Sequence, residues 1–334
     1  MARVSYRELV DTFRGVLVRV GFTLDRADLC ARLFADASRD GVPSHGLNRF
    51  PRFIDMIHLG VIDVSATPLR VASAGALERW DGRRGPGNLN AHACMDAAIG
   101  LSRRHGVGCV ALSNTNHWMR GGNYGWQAVD AGVIAICWTN TLANMPPWGA
   151  SDPRVGNNPL VIAAPRSEGA VVLDMAMSQF SFGALESYRR RNELLPVPGG
   201  YDNSGELTRD AAAIEASRRP LPIGFWKGSG LAMMLDIVAT VLADGRATHE
   251  ISRDPLHETD LSQAFIAVNP AALGDGNALA AVDRIVDDLH AMSGDASAPR
   301  FPGERTLQTR AKNLTEGIPV DPEIWEAIRR MDRH

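Results

Sequence analysis

Four short apolar runs in the middle of the chain constrain its fold more than any other feature. They cover residues 107–112, 133–138, 159–164 and 170–175, and each has the length of a β-strand. They lack the regular alternation of polar and apolar residues that marks a half-exposed strand. Continuous apolar runs of this length are typical of strands buried on both faces. We therefore predict an α/β fold with a mixed sheet that is covered by helices.

Apolar residues at helical spacing predict a helical unit at each end of the chain. Three helices are expected before residue 60, at about residues 9–20, 24–37 and 50–58. Two more are expected near the C-terminus, at about 304–316 and 322–332. The N-terminal helix is interrupted by charged residues, so it does not look like a signal peptide.

At 334 residues the chain has the length of about two domains. We assign residues 1–70 and 300–334 to a helical domain, and residues 71–299 to a domain that contains the sheet. Residues 196–222 are rich in loop-forming residues and are expected at the surface. Residues 231–243 are apolar but shorter than the roughly 20 residues that cross a bilayer, so we expect a buried helix rather than a membrane span.

Charge and cysteine content exclude several classes of protein. The formal net charge of -3 and the pI near 6.3 create no field that attracts nucleic acid or an anionic membrane. An anionic ligand must therefore be met by individual arginines. The four cysteines, Cys30, Cys94, Cys109 and Cys137, form no C-x-x-C pair and predict neither a disulfide framework nor a structural zinc site. A reducing cytoplasm fits this pattern.

His45 is the first candidate for chemistry, because it lies on a Gly- and Pro-containing turn between two predicted helices. Histidine exchanges a proton near neutral pH, and a loop held by rigid helices is a common catalytic location. Arg49 and Arg52 follow on the third predicted helix, where Arg49 can face the same site. The alternative is that His45 is only a solvated or capping residue.

A second candidate is the loop that follows the 107–112 run and contains His117 and Arg120 among several glycines. Open α/β sheets place ligands where a strand ends in such a loop before a helix. The alternative is a glycine-rich turn around a packed tryptophan. We take His117 and Arg120 as candidate ligand-binding residues.

Two further positions lie at the ends of predicted strands. Asp174 ends the 170–175 run, and is either hydrogen-bonded scaffold or the carboxylate that orients a catalytic histidine. Asn157 belongs to the Pro- and Gly-rich connection 140–158, which either forms a pocket wall or is only a stiff crossover.

The small residues after Trp226-Lys227 begin a predicted helix, and N–H groups at such a position bind phosphate. This indication is weak, because the third glycine of the dinucleotide fingerprint is missing. A short loop at Gly303, Glu304 and Arg305 precedes another helix and is suited to an adenine or ribose.

Taken together, these motifs resemble the malate/L-lactate dehydrogenase family, whose members lack a Rossmann fold. The resemblance extends over essentially the whole chain in order and spacing. It rests on Asp40-Gly41, Ser44-His45-Gly46, Asn116-His117, Gly156-Asn157-Asn158-Pro159, Asp174-Met175-Ala176-Met177-Ser178, Lys227-Gly228-Ser229-Gly230 and Pro302-Gly303-Glu304. The chain departs from many family members at Ser229, where they have tyrosine.

The resemblance implies a mixed sheet unlike the dinucleotide-binding fold and a homodimer. It also implies reduction of the 2-oxo group of 2,3-dioxo-L-gulonate to 3-dehydro-L-gulonate, with NADH as the reductant and NADPH as the alternative. His45 matches the proton donor of the family. The positions that match its cofactor contacts are Ala170, Val171, Val172, Leu173, Asp174, Met175, Ala176, Trp226, Lys227, Gly303, Glu304 and Arg305.

The chemistry of hydride transfer assigns roles to the remaining candidates. Negative charge develops on the carbonyl oxygen, and a protonated histidine can neutralise it. We place His117 and Asp174 beside His45 as polarising and orienting groups. The substrate carboxylate needs a guanidinium, for which Arg49 and Arg120 are the candidates, with Asn157 as a further substrate contact.

Three other interpretations stay open. The same chemistry can act on malate, lactate, ureidoglycolate or a cyclic imine. A metal hydrolase would use His45, His117 and Asp174 as ligands, but their spacing does not favour a metal site and we predict none. A sugar-acid binding protein without catalytic activity is the third alternative.

Overall fold

The computed structural model describes residues 2–274, 277–291 and 299–333. Residues 292–298 of the predicted sheet domain therefore lie outside the described residues. The helices are α1 (Tyr6–Arg19), α2 (Leu24–Arg39), α3 (Phe50–His58), α4 (Gly87–His105), α5 (Gly122–Asp130), α6 (Phe182–Arg191), α7 (Ala211–Ser217), α8 (Trp226–Ala243), α9 (Thr248–Ile251), α10 (Asn277–Ala291), α11 (Glu304–Glu316) and α12 (Pro322–Arg333). The strands are β1 (Ala2–Val4), β2 (Leu69–Ala74), β3 (Leu77–Asp81), β4 (Val107–Thr115), β5 (Ile134–Thr139), β6 (Leu160–Pro165), β7 (Ala170–Met175), β8 (Gly200–Tyr201), β9 (Leu207–Thr208), β10 (Leu261–Val268) and β11 (Ile318–Val320).

The four apolar runs become strands of one mixed sheet, as the sequence predicts, with β10 between the first run and the other three. Its strand order is β2-β3-β4-β10-β5-β6-β7. Only β3 and β4 are parallel, and all other neighbours in this sheet are antiparallel. In the register of the last three strands, Cys137 lies opposite Val161, and Val161 lies opposite Asp174. The predicted α/β fold class is confirmed.

Helices cover the two faces of the sheet to different extents. On one face α4 and α5 build the core, where the ring of Tyr124 lies 6.0 Å from that of Phe265 at nearly a right angle. On the other face α8 packs on β4, β10 and β5. The expectation that residues 231–243 are buried is wrong, because Ile237 and Val241 keep 44% and 68% of their surface exposed. Within the described residues α8 alone has the length and hydropathy of a membrane span, which is weak evidence for one.

Three N-terminal helices pack around phenylalanines and join the C-terminal part of the chain. The rings of Phe13 and Phe50 stack with centroids 4.3 Å apart, and Phe34 meets Phe50 edge-on. Trp325 and Ile328 of α12 belong to the same core, and β1 pairs with β11. This packing holds the turn that contains His45 between α2 and α3. The proposed domain boundaries remain a prediction.

The segment between β7 and α8 forms a small substructure outside the sheet. It contains α6, α7 and the pair β8 and β9, around a separate core that includes Leu185 and Ile214. Its two ends are held together because Gln179 N–H donates to Leu221 O at 2.7 Å. Residues 196–222 therefore contain more regular secondary structure than the loop-rich sequence predicts.

Candidate active site

Close packing against α2 positions the turn that contains His45. Leu47 N–H donates to Ser38 Oγ at 2.8 Å. A Cβ atom on Gly46 would lie only 2.2 Å from that same oxygen. Glycine is therefore required at position 46, and the backbone beside His45 has little room to move. Arg49 lies one residue before α3, not within it as the sequence analysis expects.

His45 and His117 lie side by side in the space between this turn and the end of β4. Their ring centroids are 5.8 Å apart and the planes differ by 26°. Met119 N–H donates to His117 Nδ1 at 2.9 Å, which leaves the proton of a neutral His117 ring on Nε2. Ser44 Oγ lies 3.0 Å from His45 Nδ1. Hydrogen bonds thus orient both rings.

Both histidines favour the neutral form in the free protein. Burial lowers the pKa of His45, with Asp174 opposing this effect and the charges of Arg49 and Arg120 adding to it. Burial lowers the pKa of His117 well below its usual range, and the neighbouring Arg49 and His45 act in the same direction.

Asp174 lies between the start of α5 and the side chain of Arg120. Gly122 N–H donates to Asp174 Oδ2 at 2.9 Å, and Arg120 Nε lies 3.8 Å from the same oxygen. No hydrogen bond joins Asp174 to His45 in the described part of the chain, so Asp174 acts on His45 through its charge.

Asp40 is a buried carboxylate beside this cluster whose role the sequence analysis missed. Its carboxylate is almost fully buried and accepts hydrogen bonds from Arg120 Nη1 at 2.6 Å, Arg310 Nη2 at 2.7 Å and Arg39 Nε at 2.8 Å. Burial alone would raise the pKa of Asp40, but the guanidinium groups, Arg310 first, hold it well below its usual range. The indication available in the sequence was that Asp40 belongs to the Asp40-Gly41 motif, which the chain shares with the family it resembles.

Arg49 meets a second carboxylate that the sequence did not reveal. Its Nη2 lies 3.4 Å from Glu258 Oε2, and a quarter of the Arg49 side chain remains exposed. Burial raises the pKa of Glu258, although Arg49, Arg52 and the N–H of Leu142 oppose this effect. Nothing local to Glu258 in the sequence indicates that it reaches this site.

The structure brings His45, His117, Arg49, Arg120 and Asp174 into one cluster, whereas no described contact joins Asn157 to them. Asn157 Oδ1 accepts a hydrogen bond from Asn144 Nδ2 at 2.9 Å within the 140–158 connection. Its carbonyl oxygen accepts from Met177 N–H at 2.7 Å, so Asn157 lies close to the end of β7.

The segments that match the cofactor contacts of the family surround β7. Val172 N–H donates to Pro302 O at 2.9 Å, and a Cβ on Gly303 would lie 3.1 Å from the same nitrogen. Ile223, three residues before α8, donates its N–H to Met177 O at 2.8 Å. These distant parts of the sequence therefore meet along one edge strand.

One detail of the predicted phosphate site is wrong. The N–H groups of Lys227, Gly228 and Ser229 donate to carbonyl groups of residues 223–225, so they are not available to a phosphate. The side chains of Trp226 and Lys227 are nevertheless exposed.

The residues along β7 fit a dinucleotide in another way. Ser178 Oγ is buried without a hydrogen-bond partner among the described residues, immediately after this strand. In the same part of the structure, no backbone partner outside α11 is recorded for the N–H groups of Arg305 and Thr306. A buried free hydroxyl and free helix N-terminal donors suit a phosphate- and ribose-containing ligand.

A metal centre is not visible in the described ranges, where no three His, Cys, Asp or Glu side chains are grouped to hold an ion.

Comparison with known proteins agrees with this arrangement. Residues 4–329 match the malate/L-lactate dehydrogenase family. The chain is 46% identical over 332 residues to 2,3-diketo-L-gulonate reductase of Escherichia coli K12, with 98% of this chain and 100% of that protein covered.

Solved structures show the same fold. The sulfolactate dehydrogenase of Methanocaldococcus jannaschii superimposes with a TM-score of 0.90 at 26% identity, covering 99% of this chain and 97% of that one. The Δ1-piperideine-2-carboxylate reductase of Pseudomonas syringae gives 0.89 at 28% identity, with 99% and 100% covered. The match makes this protein an oxidoreductase acting on CH–OH groups with a nicotinamide cofactor. The chain belongs to the malate/L-lactate dehydrogenase family.

Proposed function

We propose that this enzyme reduces 2,3-dioxo-L-gulonate to 3-dehydro-L-gulonate, with NADH as the reductant. The observation that carries the proposal is the pairing of His45 with His117 beside Arg49 and Asp174. The identity of 46% over the whole chain to proteins that are named 2,3-diketo-L-gulonate reductase supports the choice of substrate.

His45 donates the proton that completes the reduction. A nicotinamide cofactor, when bound, would supply the hydride that C2 of the substrate receives, and His45 protonates the oxygen of the former carbonyl group. The product is therefore a secondary alcohol, and His45 ends the reaction as neutral imidazole. Because burial lowers the pKa of His45 in the free enzyme, the protonated form must be favoured by the arriving anion.

His117 polarises the same carbonyl group. Since Met119 N–H occupies Nδ1, the neutral ring presents an Nε2–H donor. A donor that is already oriented stabilises the negative charge that develops on oxygen. Asp174 favours the charged form of His45 through space.

Arg49 is the preferred partner of the substrate carboxylate. Its side chain is 24% exposed, whereas that of Arg120 is 4% exposed and already bound to Asp40. A planar guanidinium binds a carboxylate through two hydrogen bonds. Arg120 then positions Asp174, and Asn157 contacts the substrate from the 140–158 connection.

In this proposal, residues along β7 and the segments beside it would hold the cofactor. Its contacts are residues 170–176 together with Trp226, Lys227, Gly303, Glu304 and Arg305. Ser178 Oγ and the first N–H groups of α11 add donors beside them. NADPH remains the alternative reductant.

We further propose a cytoplasmic homodimer that binds neither nucleic acid nor membrane. The exposed apolar face of α8 supports the dimer, because Met233, Met234, Ile237 and Val241 expose about half or more of their surface. Contiguous exposed apolar patches of this kind mark interaction surfaces. The free state of all four cysteines agrees with a reducing compartment.

The test is NADH oxidation, followed by absorbance, with a panel of 2-oxo acids. We expect kcat/KM to be highest for 2,3-dioxo-L-gulonate. An equal or higher kcat/KM for oxaloacetate, pyruvate or a cyclic imine would overturn the proposed substrate but not the proposed type of reaction. Binding of the sugar acid without any turnover would indicate a binding protein instead.

A further inference from the structure

A cavity of about 690 Å³ lies beside the catalytic cluster, outside every residue discussed so far as a substrate contact. Its wall is formed by the 140–158 connection, the first residue of α6, the end of α7 and the segment around α9. Its volume lies within the roughly 300–1,000 Å³ that is typical of ligand sites.

Two parts of the cavity wall lie next to residues that neighbour Arg49 and His45. Leu142 lines the cavity, and its N–H hydrogen bonds to Glu258, the partner of Arg49. Phe182 lines it as well, and the adjacent Gly183 is so close that its Cβ would lie 3.5 Å from Ser44 Oγ. Glu258 therefore lies between the cavity wall and Arg49, and Gly183 and Ser44 lie between the cavity wall and His45.

The cavity is rich in positive charge. Arg154, Arg218 and Arg253 line it, and no ion pair is recorded for any of them within the described residues. Among the described residues of its wall the one carboxylate is Glu215, which is paired with Arg189. Arg253 also borders a second cavity whose wall carries Glu250 and Asp254, so Arg154 and Arg218 contribute most clearly to the charge.

Polar groups on the wall suit a ligand with many acceptors. Guanidinium groups only donate hydrogen bonds, and His249 adds a ring that can donate or accept. Asn144 is fixed by its bonds to Asn157, while Leu142 and Phe182 give apolar surface. A carboxylate or a chain of hydroxyl and carbonyl groups matches these donors.

We propose that this cavity is the vestibule of the active site for polyhydroxylated acid anions, a proposal that rests on the function proposed above. Arg154 and Arg218 attract the anion and then hold its hydroxyl-bearing end, while the 2-oxo group lies against His45. Three- and four-carbon oxo acids lack the hydroxyl-bearing end that these arginines would hold. The enzyme therefore prefers longer sugar acids.

The test compares Arg154→Gln and Arg218→Asn with the wild type. Asparagine suits position 218, where the backbone has a φ of 56°. Arg103→Gln is the matched control, because Arg103 is exposed on the last turn of α4, at the opposite end of β4 from His117. Thermal unfolding of each variant checks that the fold is kept.

With the sugar acid, each vestibule variant should lower kcat/KM on the order of three- to tenfold at low ionic strength, about 0.01 M, with kcat little changed. The loss should shrink at about 0.15 M salt, and it should be smaller with pyruvate. The control should match the wild type. Unchanged kcat/KM in both vestibule variants, with an active wild type, would contradict the vestibule alone.

A binding measurement separates this proposal from the proposed reaction. Titration calorimetry with L-gulonate, which cannot be reduced at C2, should show weaker binding to Arg154→Gln and Arg218→Asn than to the wild type. Equal dissociation constants would overturn the vestibule even if the reductase is active. A wild type that binds L-gulonate through these arginines but reduces no 2-oxo acid would overturn only the reaction.

Discussion

Arg120 donates a hydrogen bond of 2.6 Å to Asp40, although the two residues are 80 positions apart in the chain. This buried ion pair joins the end of α2 to the loop after β4. Arg310 of α11 donates to the same carboxylate. The end of α2, the loop after β4 and the middle of α11 are therefore fixed relative to one another by one side chain.

Asp40→Asn should destabilise the protein by about 3–5 kcal/mol, because it leaves buried guanidinium groups without their counter-charge. Chemical denaturation measures this change. Asp11→Asn is the control, since Asp11 pairs with Arg14 on the exposed face of α1 and should cost less than about 1 kcal/mol. Similar losses in both variants would show that the Asp40 cluster has no special structural role.

Arg49→Ala should raise KM for the sugar acid much more than KM for NADH, because it removes the guanidinium that meets the carboxylate. Arg49→Lys should recover only part of the loss, since lysine keeps the charge without the planar pair of donors. Steady-state kinetics with each substrate varied in turn gives both constants. If Arg120→Ala shows this selective effect and Arg49→Ala does not, the two roles are reversed.

The pH profile should reflect the lowered pKa of His45. In the free enzyme His45 is mainly neutral at pH 7, so kcat/KM for reduction should rise as the pH falls below the ordinary histidine value of about 6.5. Oxidation of the alcohol needs neutral His45 as a base, so its rate should be level at neutral pH and fall in acid. Reduction that is fastest above pH 8 would contradict His45 as the donor.

Ile237→Glu combined with Val241→Glu should convert the proposed homodimer to a monomer, because both side chains lie on the exposed apolar stripe of α8. Sedimentation velocity measures the mass. Leu59→Glu, at an exposed apolar residue just after α3, is the control and should leave the mass unchanged. A dimer that survives the double substitution would place the interface elsewhere.

Much of the fold follows from local patterns in the sequence. Continuous apolar runs predict β4 to β7, and helical spacing predicts α1 to α3, α11 and α12, because each pattern reflects burial of one strand or one helix face. The exposure of α8 was not predictable, since an apolar helix with an exposed face can have the same composition as a buried one. The secondary structure of residues 196–222 was not predictable either, because it depends on a core that joins residues separated in the sequence, such as Leu195 and Ile214.

The site was only partly predictable for the same reason. His45, His117 and Asp174 lie in turns or near strand ends, where ligand-binding residues concentrate. Glu258 comes within reach of Arg49 only because the chain around β10 folds back on the N-terminal helices, a separation of 209 residues. No local pattern encodes such a pairing.

The rate of the His45→Gln variant tests the central claim most directly. Its kcat for reduction of 2,3-dioxo-L-gulonate should fall roughly 10²- to 10⁴-fold, the usual contribution of a general acid. The dissociation constant for NADH, measured by fluorescence titration, should stay close to that of the wild type, and His58→Gln, at an exposed position on α3, should have normal activity. A kcat for His45→Gln close to the wild-type value, in a folded protein that binds NADH, would contradict His45 as the proton donor.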